Sequence, residues 1–169
     1  MLKGNVSVDY GREARNVLSG DISVIIWASI SNTSPNLVRH VGGKMNAAAY
    51  CDILQNLSLS PAITKTRGFI HEFHTVYRSP LVNSWFEQHS VLRPLRWCCD
   101  HPDLMPLHHA FQQVARLLNT QYPKMRTQED LLRGIFDAWD KHINEEWNVW
   151  SLIYGANKKI EEAAAIHDF

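Results

Sequence analysis

The feature that most constrains the fold is the run of residues 22–30, ISVIIWASI. It is rich in β-branched side chains and too short for an ordinary helix, which predicts a buried strand. The polar turn SNTSPN follows, and residues 37–41 (LVRHV) predict a short partner strand. Residues 22–41 are therefore expected to form a hairpin, which the Gly-Gly pair at 42–43 ends.

Helix-start residues organise the rest of the chain. Capping side chains and helical spacing of apolar residues predict helices, which begin at Asn46, Ser79, Pro106, Thr127 and about Asn144. Short strands are expected at 67–74 and 91–95. Residues 1–20 are polar and weakly periodic, so we set them apart as an N-terminal segment and assign 21–169 to one domain. This order predicts an α/β fold with a mixed sheet flanked by helices.

Composition narrows the class of protein. The 169 residues suffice for one domain with a core, and 45% hydrophobic against 20% charged residues is typical of a globular chain. The 17 basic and 17 acidic residues balance, whereas a dedicated nucleic-acid binder usually has a basic excess. Three cysteines, two of them adjacent at Cys98 and Cys99, indicate a reducing compartment rather than a disulfide framework. No apolar run is long enough to predict a membrane span.

Four blocks of the sequence resemble motifs of a known family, in the same order and at similar intervals. They are SVIIWASIS, MNAAAYCDIL, GFIHEFHTVYRSPLVNSWFEQHSV and WCCDHPDLMPLHHAF. These blocks are similar to VMVWGxIS, MNxxxYxxxL, FQQDNAPxHTAxxVxxWLxxxxI and WPAxSPDLNPIExxW of the catalytic core of Tc/mariner DNA transposases. The resemblance runs from about Ser23 to the end of the chain. It implies an RNase H-like fold of the retroviral-integrase type, shortened at its N-terminus.

The resemblance also implies which residues stand where the family keeps its chemistry. Three carboxylates of the family hold two Mg²⁺ ions that activate a water or a DNA 3′-hydroxyl. Glu72 stands at the second carboxylate position and His108 at the third, with 35 residues between them, close to the family interval. Asp9 is the only candidate for the first, and it lies nearer to the strand at 22–30 than the family interval requires. Imidazole is a poor ligand for Mg²⁺, so we expect no catalytic residue, no metal site and no cofactor.

These substitutions predict a domesticated, catalytically inactive transposase domain. Residues that build the family scaffold are retained, namely Trp27, Trp85, Trp97, Pro102 and Pro106. We expect a scaffold or adaptor in a nuclear complex of chromatin, telomere or genome-defence function, with other nuclear proteins and DNA as partners. Because family enzymes act as dimers, the resemblance also implies a homodimer.

Two alternatives stay open. The first is a residual metal-dependent nuclease or strand-transfer enzyme, in which Glu72 and His108 would bind a transition metal. The second is a nucleic-acid-binding module without chemistry. Its basic surface would comprise Lys65, Arg67, Arg78, Arg93 and Arg96.

Several other features have simpler interpretations than a functional site. The HEFH sequence around Glu72 is not the HExxH spacing of a zinc site, so its histidines are expected to be ordinary surface or core residues. Cys98 and Cys99 are expected to pack. Trp139, Trp147 and Trp150 lie at helical spacing, which favours a core stripe over a base-stacking platform.

Overall fold

The computed structural model of the chain describes residues 6–9, 15–19, 22–30, 36–58, 69–71, 75–89, 94–95, 106–121, 125–145 and 158. The strands are Val6–Asp9 (β1), Arg15–Ser19 (β2), Ile22–Ser29 (β3), Leu37–Val41 (β4), Phe69–Ile70 (β5) and Pro94–Leu95 (β6). The α-helices are Ala47–Ser58 (α1), Pro80–Gln88 (α2), Pro106–Gln121 (α3) and Gln128–Ala138 (α4). A 3₁₀ turn at Val76–Arg78 precedes α2, and a π-helical turn at Trp139–Ile143 continues α4.

The strands pair as two sheets within the described residues. Strands β1, β2, β3 and β4 form an antiparallel sheet in that order, while β5 and β6 form a parallel pair. The pairing of β3 with β4 confirms the hairpin expected over 22–41. Both strand directions of the expected mixed sheet are present, although the parallel pair is a separate sheet in this part of the chain.

Strands β1 and β2 lie inside the segment that we set apart as residues 1–20. They extend the sheet from β3 in an antiparallel meander, with Asp9 opposite Asn16 and Arg15 opposite Ile26. The sequences VSVD and RNVLS are too short for their alternation to predict strands. Each strand is stabilised by its cross-strand neighbours, which the local sequence pattern does not show. The first part of the chain is therefore part of the sheet.

Strand β3 packs on both of its faces, as its continuous apolar run predicts. Val24, Ile26 and Ala28 contact the buried side chains of α3, α4 and the π-helical turn, which we call the α3–α4 cluster. Trp27, on the opposite face, contacts the buried side chains of α1, α2 and the 3₁₀ turn, which we call the α1–α2 cluster. The sheet therefore lies between two helical layers.

Three of the expected helix starts are confirmed by their caps. Asn46 Oδ1 accepts a hydrogen bond from the backbone N–H of Ala49 at 2.9 Å. The Ser79 hydroxyl likewise accepts from Val82 N, with proline in the first turn of α2, and Thr127 Oγ1 accepts from Asp130 N at 3.1 Å. Each side chain satisfies one of the N–H groups that a helix start leaves unpaired.

The end of α4 is continued by the π-helical turn at Trp139–Ile143. Trp139 is fully buried and confirms the core interpretation for that residue, but it belongs to the π-helical turn that continues α4. The helix expected from about Asn144, with Trp147 and Trp150, lies outside the described residues. No helix within the described ranges is both long and apolar enough to cross a membrane.

Candidate functional site

His108 lies in the first turn of α3, where the family resemblance places the third carboxylate. Pro106 begins this helix, and its fixed φ angle suits the first helical position. Ala110 and Phe111 pack into the α3–α4 cluster, which leaves His108 half-buried at its margin. The Nε2 atom of His108 lies 2.8 Å from the amide nitrogen of Gln112, one turn along the helix. An amide nitrogen can only donate, so this nitrogen of His108 accepts.

Asp9 is the last residue of β1, the strand that lies against α3. The fold therefore brings the strand of one family position next to the helix of another. Two hairpin connections, from β1 to β2 and from β2 to β3, separate Asp9 from the strand at 22–30. The sequence interval between Asp9 and β3, which is shorter than the family interval, is the length of chain that contains β2 and these two connections.

Glu72 lies outside the described residues, but the residues immediately before it are described. Strand β5 ends at Ile70, and His71 follows it into the α1–α2 cluster. The side chain of His71 shares a hydrogen bond with the Tyr50 hydroxyl, with 3.1 Å between Nδ1 and Oη. Its ring stacks on that of Tyr77, at 5.8 Å between centroids, and meets the edge of Phe86. The chain entering the Glu72 position is therefore anchored in an aromatic core.

His71 is held in its neutral form by this setting. Burial disfavours the imidazolium and the nearby Arg78 guanidinium repels it, which lowers the pKa of His71 from 6.5 to about 4. The sequence suggested an ordinary surface or core histidine, and the structure shows a half-buried one packed against the aromatic rings of Tyr77 and Phe86. The Tyr50–His71 contact was missed, because it joins α1 to the end of β5 and has no local sequence signal.

The proposed basic surface can be located only in part. Arg78 is exposed at the end of the 3₁₀ turn, and its backbone carbonyl accepts a hydrogen bond from the Asn83 side chain. The other members lie outside the described residues, namely Lys65, Arg67, Arg93 and Arg96. Cys98 and Cys99 also lie outside them, whereas Cys51 is a half-buried thiol whose pKa is raised by burial and by Asp52.

The donor chemistry of the described site does not fit Mg²⁺. That ion prefers carboxylate oxygen and water in near-octahedral geometry, whereas α3 offers the imidazole of His108, whose Nε2 already accepts a hydrogen bond. Among the described residues, no three His, Cys, Asp or Glu side chains are grouped as metal ligands would be.

Comparisons with known proteins agree with the motif resemblance. No protein-family model matches the sequence. The Tcb2 transposase of Caenorhabditis briggsae is 30% identical over 112 residues, which is 64% of this chain and 40% of the relative. The Tcb1 transposase of the same organism is 30% identical over 60% of this chain, and the Tc3 transposase of Caenorhabditis elegans 26% over 71%. The chain spans 38% and 37% of the length of these two relatives.

The structural comparison extends over nearly the whole chain. The catalytic domain of Mos1 mariner transposase superposes with a TM-score of 0.64 at 16% identity, covering 96% of this chain and 79% of that domain. The Mos1 strand transfer complex gives 0.65 at 18% identity, covering 97% of this chain and 49% of the Mos1 chain. At such identities the likeness shows the fold, which is RNase H-like as expected. The chain is thus similar in sequence to the Tc transposases and in fold to the catalytic domain of Mos1 mariner transposase, in agreement with the expected likeness to a Tc/mariner catalytic core.

Proposed function

We propose that this chain is a transposase-derived domain that has lost strand cleavage and acts as a binding scaffold in a nuclear complex. Its partners in this proposal are other nuclear proteins, with DNA as a further contact, in chromatin, telomere or genome-defence function. No metal cofactor takes part. Catalytic loss and the binding role are separate claims and need separate tests.

The observation that carries the proposal is that a histidine, His108, stands at a carboxylate position of the family and is hydrogen-bonded within its own helix. The Nε2 atom of His108 is hydrogen-bonded to the Gln112 amide, so Mg²⁺ would have to displace that bond to reach a nitrogen that it binds poorly. A carboxylate at this place would supply negative charge, which an imidazole lacks.

The retained scaffold supports a role that needs the fold but not the reaction. Trp27 and Trp85 are both buried in the α1–α2 cluster, and Pro106 still begins α3. These residues maintain the shape of the domain. A fold kept without its ligand chemistry is what a binding protein requires.

A DNA-nicking assay tests the catalytic part of the proposal. Purified chain is incubated with supercoiled plasmid in Mg²⁺ and, separately, in Mn²⁺, beside an active Tc/mariner transposase as positive control. We expect no nicking above the metal-free reaction. Clear metal-dependent nicking that disappears in Glu72→Ala would overturn the proposal.

Affinity purification from nuclear and cytosolic extracts of the source cells tests the binding part. We expect a defined set of proteins that co-purify with the chain from the nuclear extract. Recovery of the chain from the cytosolic extract alone would contradict nuclear function.

One observation favours a second candidate, a metal-dependent nuclease with altered ligands. Strand β1, which ends at Asp9, lies against the helix that carries His108. A transition metal accepts imidazole more readily than Mg²⁺ does. This candidate predicts stoichiometric binding of Mn²⁺ or Zn²⁺ that is lost in both Asp9→Asn and His108→Ala, and binding that survives either change would exclude it.

A further inference from the structure

Strand β4 and the turn after it carry exposed basic side chains. Arg39 and His40 are exposed on β4, and Lys44 is exposed just beyond the Gly-Gly turn. Within the described residues, none of these side chains takes part in an ion pair or a hydrogen bond. Residues 36–51 contain no Asp or Glu. This stretch is therefore locally positive in a chain whose formal net charge is zero.

Among the described residues, the backbone of β4 is paired on one side only. In the described part of the chain, β4 pairs with β3 and is the last strand of its sheet. In an antiparallel pair, alternate residues direct their N–H and C=O groups away from the partner strand. Such an edge can bind a further extended strand through main-chain hydrogen bonds.

The two exposed side chains of β4 lie on opposite faces of the sheet. Arg39 alternates with Leu37 and Val41, which contact the α1–α2 cluster, whereas His40 follows Val38, which contacts the α3–α4 cluster. Neighbouring residues of an added strand would also point to the two faces in turn. Two consecutive acidic residues in that strand would therefore meet Arg39 and His40, one on each face.

We propose that β4 binds an extended acidic segment of a partner protein, added as an outer strand of the sheet. The main chain of the segment pairs with the open edge, and its acidic side chains lie opposite Arg39 and His40, with Lys44 near one end. This inference rests on the proposed scaffold function and gives the chemistry of one partner.

Two other occupants fit this edge less well. A second copy of the chain pairing through β4 would place like charges opposite each other, which destabilises a strand pair. Single-stranded nucleic acid is bound through stacking on exposed aromatic rings, but Trp27, the cross-strand neighbour of Arg39, is buried.

A blocked peptide of sequence Thr-Val-Glu-Glu-Val-Thr is the probe. Titrated into the isotope-labelled full chain, it should shift the β4 amide resonances saturably, while the peptide with Lys-Lys at the centre should not. Methylating alternate peptide nitrogens gives two further peptides, and we expect one to bind and the other to fail, because only one set of N–H groups faces β4. Equal binding of the acidic and basic peptides, or no binding of either, would overturn the proposal.

Charge-reversal variants locate the binding. Arg39→Glu should reduce the affinity for the acidic peptide by about tenfold or more. His40→Glu should also reduce this affinity. Arg116→Glu is the matched control on the exposed face of α3 and should leave the affinity unchanged. An equal loss in Arg116→Glu would mean general charge attraction and would contradict the proposal, as would tighter binding of a single-stranded oligonucleotide to the same amides.

The outcomes also separate this proposal from the proposed function. Peptide binding requires no metal and no DNA cleavage, so nuclease activity would overturn the scaffold function without changing the peptide result. If the peptide does not bind and the chain has no nuclease activity, only the proposed role of β4 is overturned, and the scaffold function is unaffected.

Discussion

The amide nitrogen of Gln112 donates a hydrogen bond to Nε2 of His108, 2.8 Å away across one turn of α3. A ring nitrogen that accepts a hydrogen bond uses the lone pair that a metal ion would otherwise take. The residue that stands at a metal-ligand position of the family is thus engaged within its own helix.

Restoring a carboxylate at this position should restore some affinity for a hard cation. We expect His108→Asp to bind Mn²⁺ roughly tenfold more tightly than the unchanged chain, the scale on which single groups act in metal sites. Titration calorimetry measures the difference. His109→Asp adds the same charge one residue away and should bind less tightly than His108→Asp. Equal affinities for the two variants would contradict a specific role for position 108.

The stability of the fold should fall in mild acid because of His71. Its pKa is about 4 in the folded chain against 6.5 for an unperturbed histidine, so the unfolded chain binds the proton more readily between these values. The stability that neutral His71 contributes is fully present above about pH 6.5 and is lost as the pH falls towards 4, and its upper bound is about 3.4 kcal/mol.

Urea unfolding at pH 7 and pH 5 measures this dependence. In His71→Gln, the difference in unfolding free energy between the two pH values should shrink. His40→Gln, at an exposed position on β4, is the control and should keep it. An unchanged difference in His71→Gln would show that other groups cause the acid sensitivity.

The cap of α4 gives a third expectation. Thr127 Oγ1 accepts a hydrogen bond from Asp130 N, while an Asp130 carboxylate oxygen accepts one from Arg126 N at 3.2 Å. The Arg126 N–H, followed by the Thr127 hydroxyl, lowers the pKa of Asp130 by hydrogen-bonding its carboxylate. Thr127→Ala should reduce the unfolding free energy by about 1 kcal/mol.

Thr120→Ala is the matched control for the cap, measured by the same chemical denaturation. The Thr120 hydroxyl donates to carbonyls of its own helix at Arg116 and Leu117, where threonine is a weaker helix former than alanine. Its replacement should be neutral or slightly stabilising. Equal losses in the two variants would argue against capping by Thr127.

Trp139 should be among the costliest residues to truncate. It is fully buried, its ring lies 5.7 Å from that of Phe111, and its indole nitrogen makes no hydrogen bond within the described residues. Trp139→Ala should lose about 3–5 kcal/mol through lost packing. Trp139→Phe should lose clearly less, because the indole N–H contributes no bond.

Denaturant unfolding of both Trp139 variants checks this ranking. Leu81→Ala, at a side chain that is 53% exposed, should stay within about 0.5 kcal/mol of the unchanged chain. A Trp139→Phe loss as large as that of Trp139→Ala would mean that the indole N–H contributes more than its contacts show.

Local chemistry explains which parts of the fold the sequence predicts. The caps at Asn46, Ser79 and Thr127 were predicted because a side chain and an N–H only a few residues apart define each of them. The β3–β4 hairpin followed from two apolar runs around one polar turn. Strands β1 and β2 were missed because their stability comes from pairing with β3, which a short alternating pattern does not show.

Some features of the candidate site were likewise predicted from the sequence, and others were not. The position of His108 at the start of α3 was predicted, because Pro106 and the spacing of the motif locate it in the helix. The Tyr50–His71 hydrogen bond joins residues 21 positions apart, and the closeness of β1 to α3 depends on the whole topology. Neither contact is indicated by residues close together in the sequence, so neither could be predicted before the fold was known.

Strand β3 is synthesised well before the helices that cover one of its faces. The Gln128 side chain donates a hydrogen bond to the Ser23 carbonyl across 105 positions, and the α3–α4 cluster depends on residues up to Ile143. On the ribosome, the face formed by Val24, Ile26 and Ala28 therefore waits uncovered while about a hundred further residues are added, a delay of several seconds or more at ordinary elongation rates. During that interval the nascent chain exposes an apolar strand that is prone to aggregation. The yield of folded protein in the cell should therefore depend on chaperones that bind nascent chains.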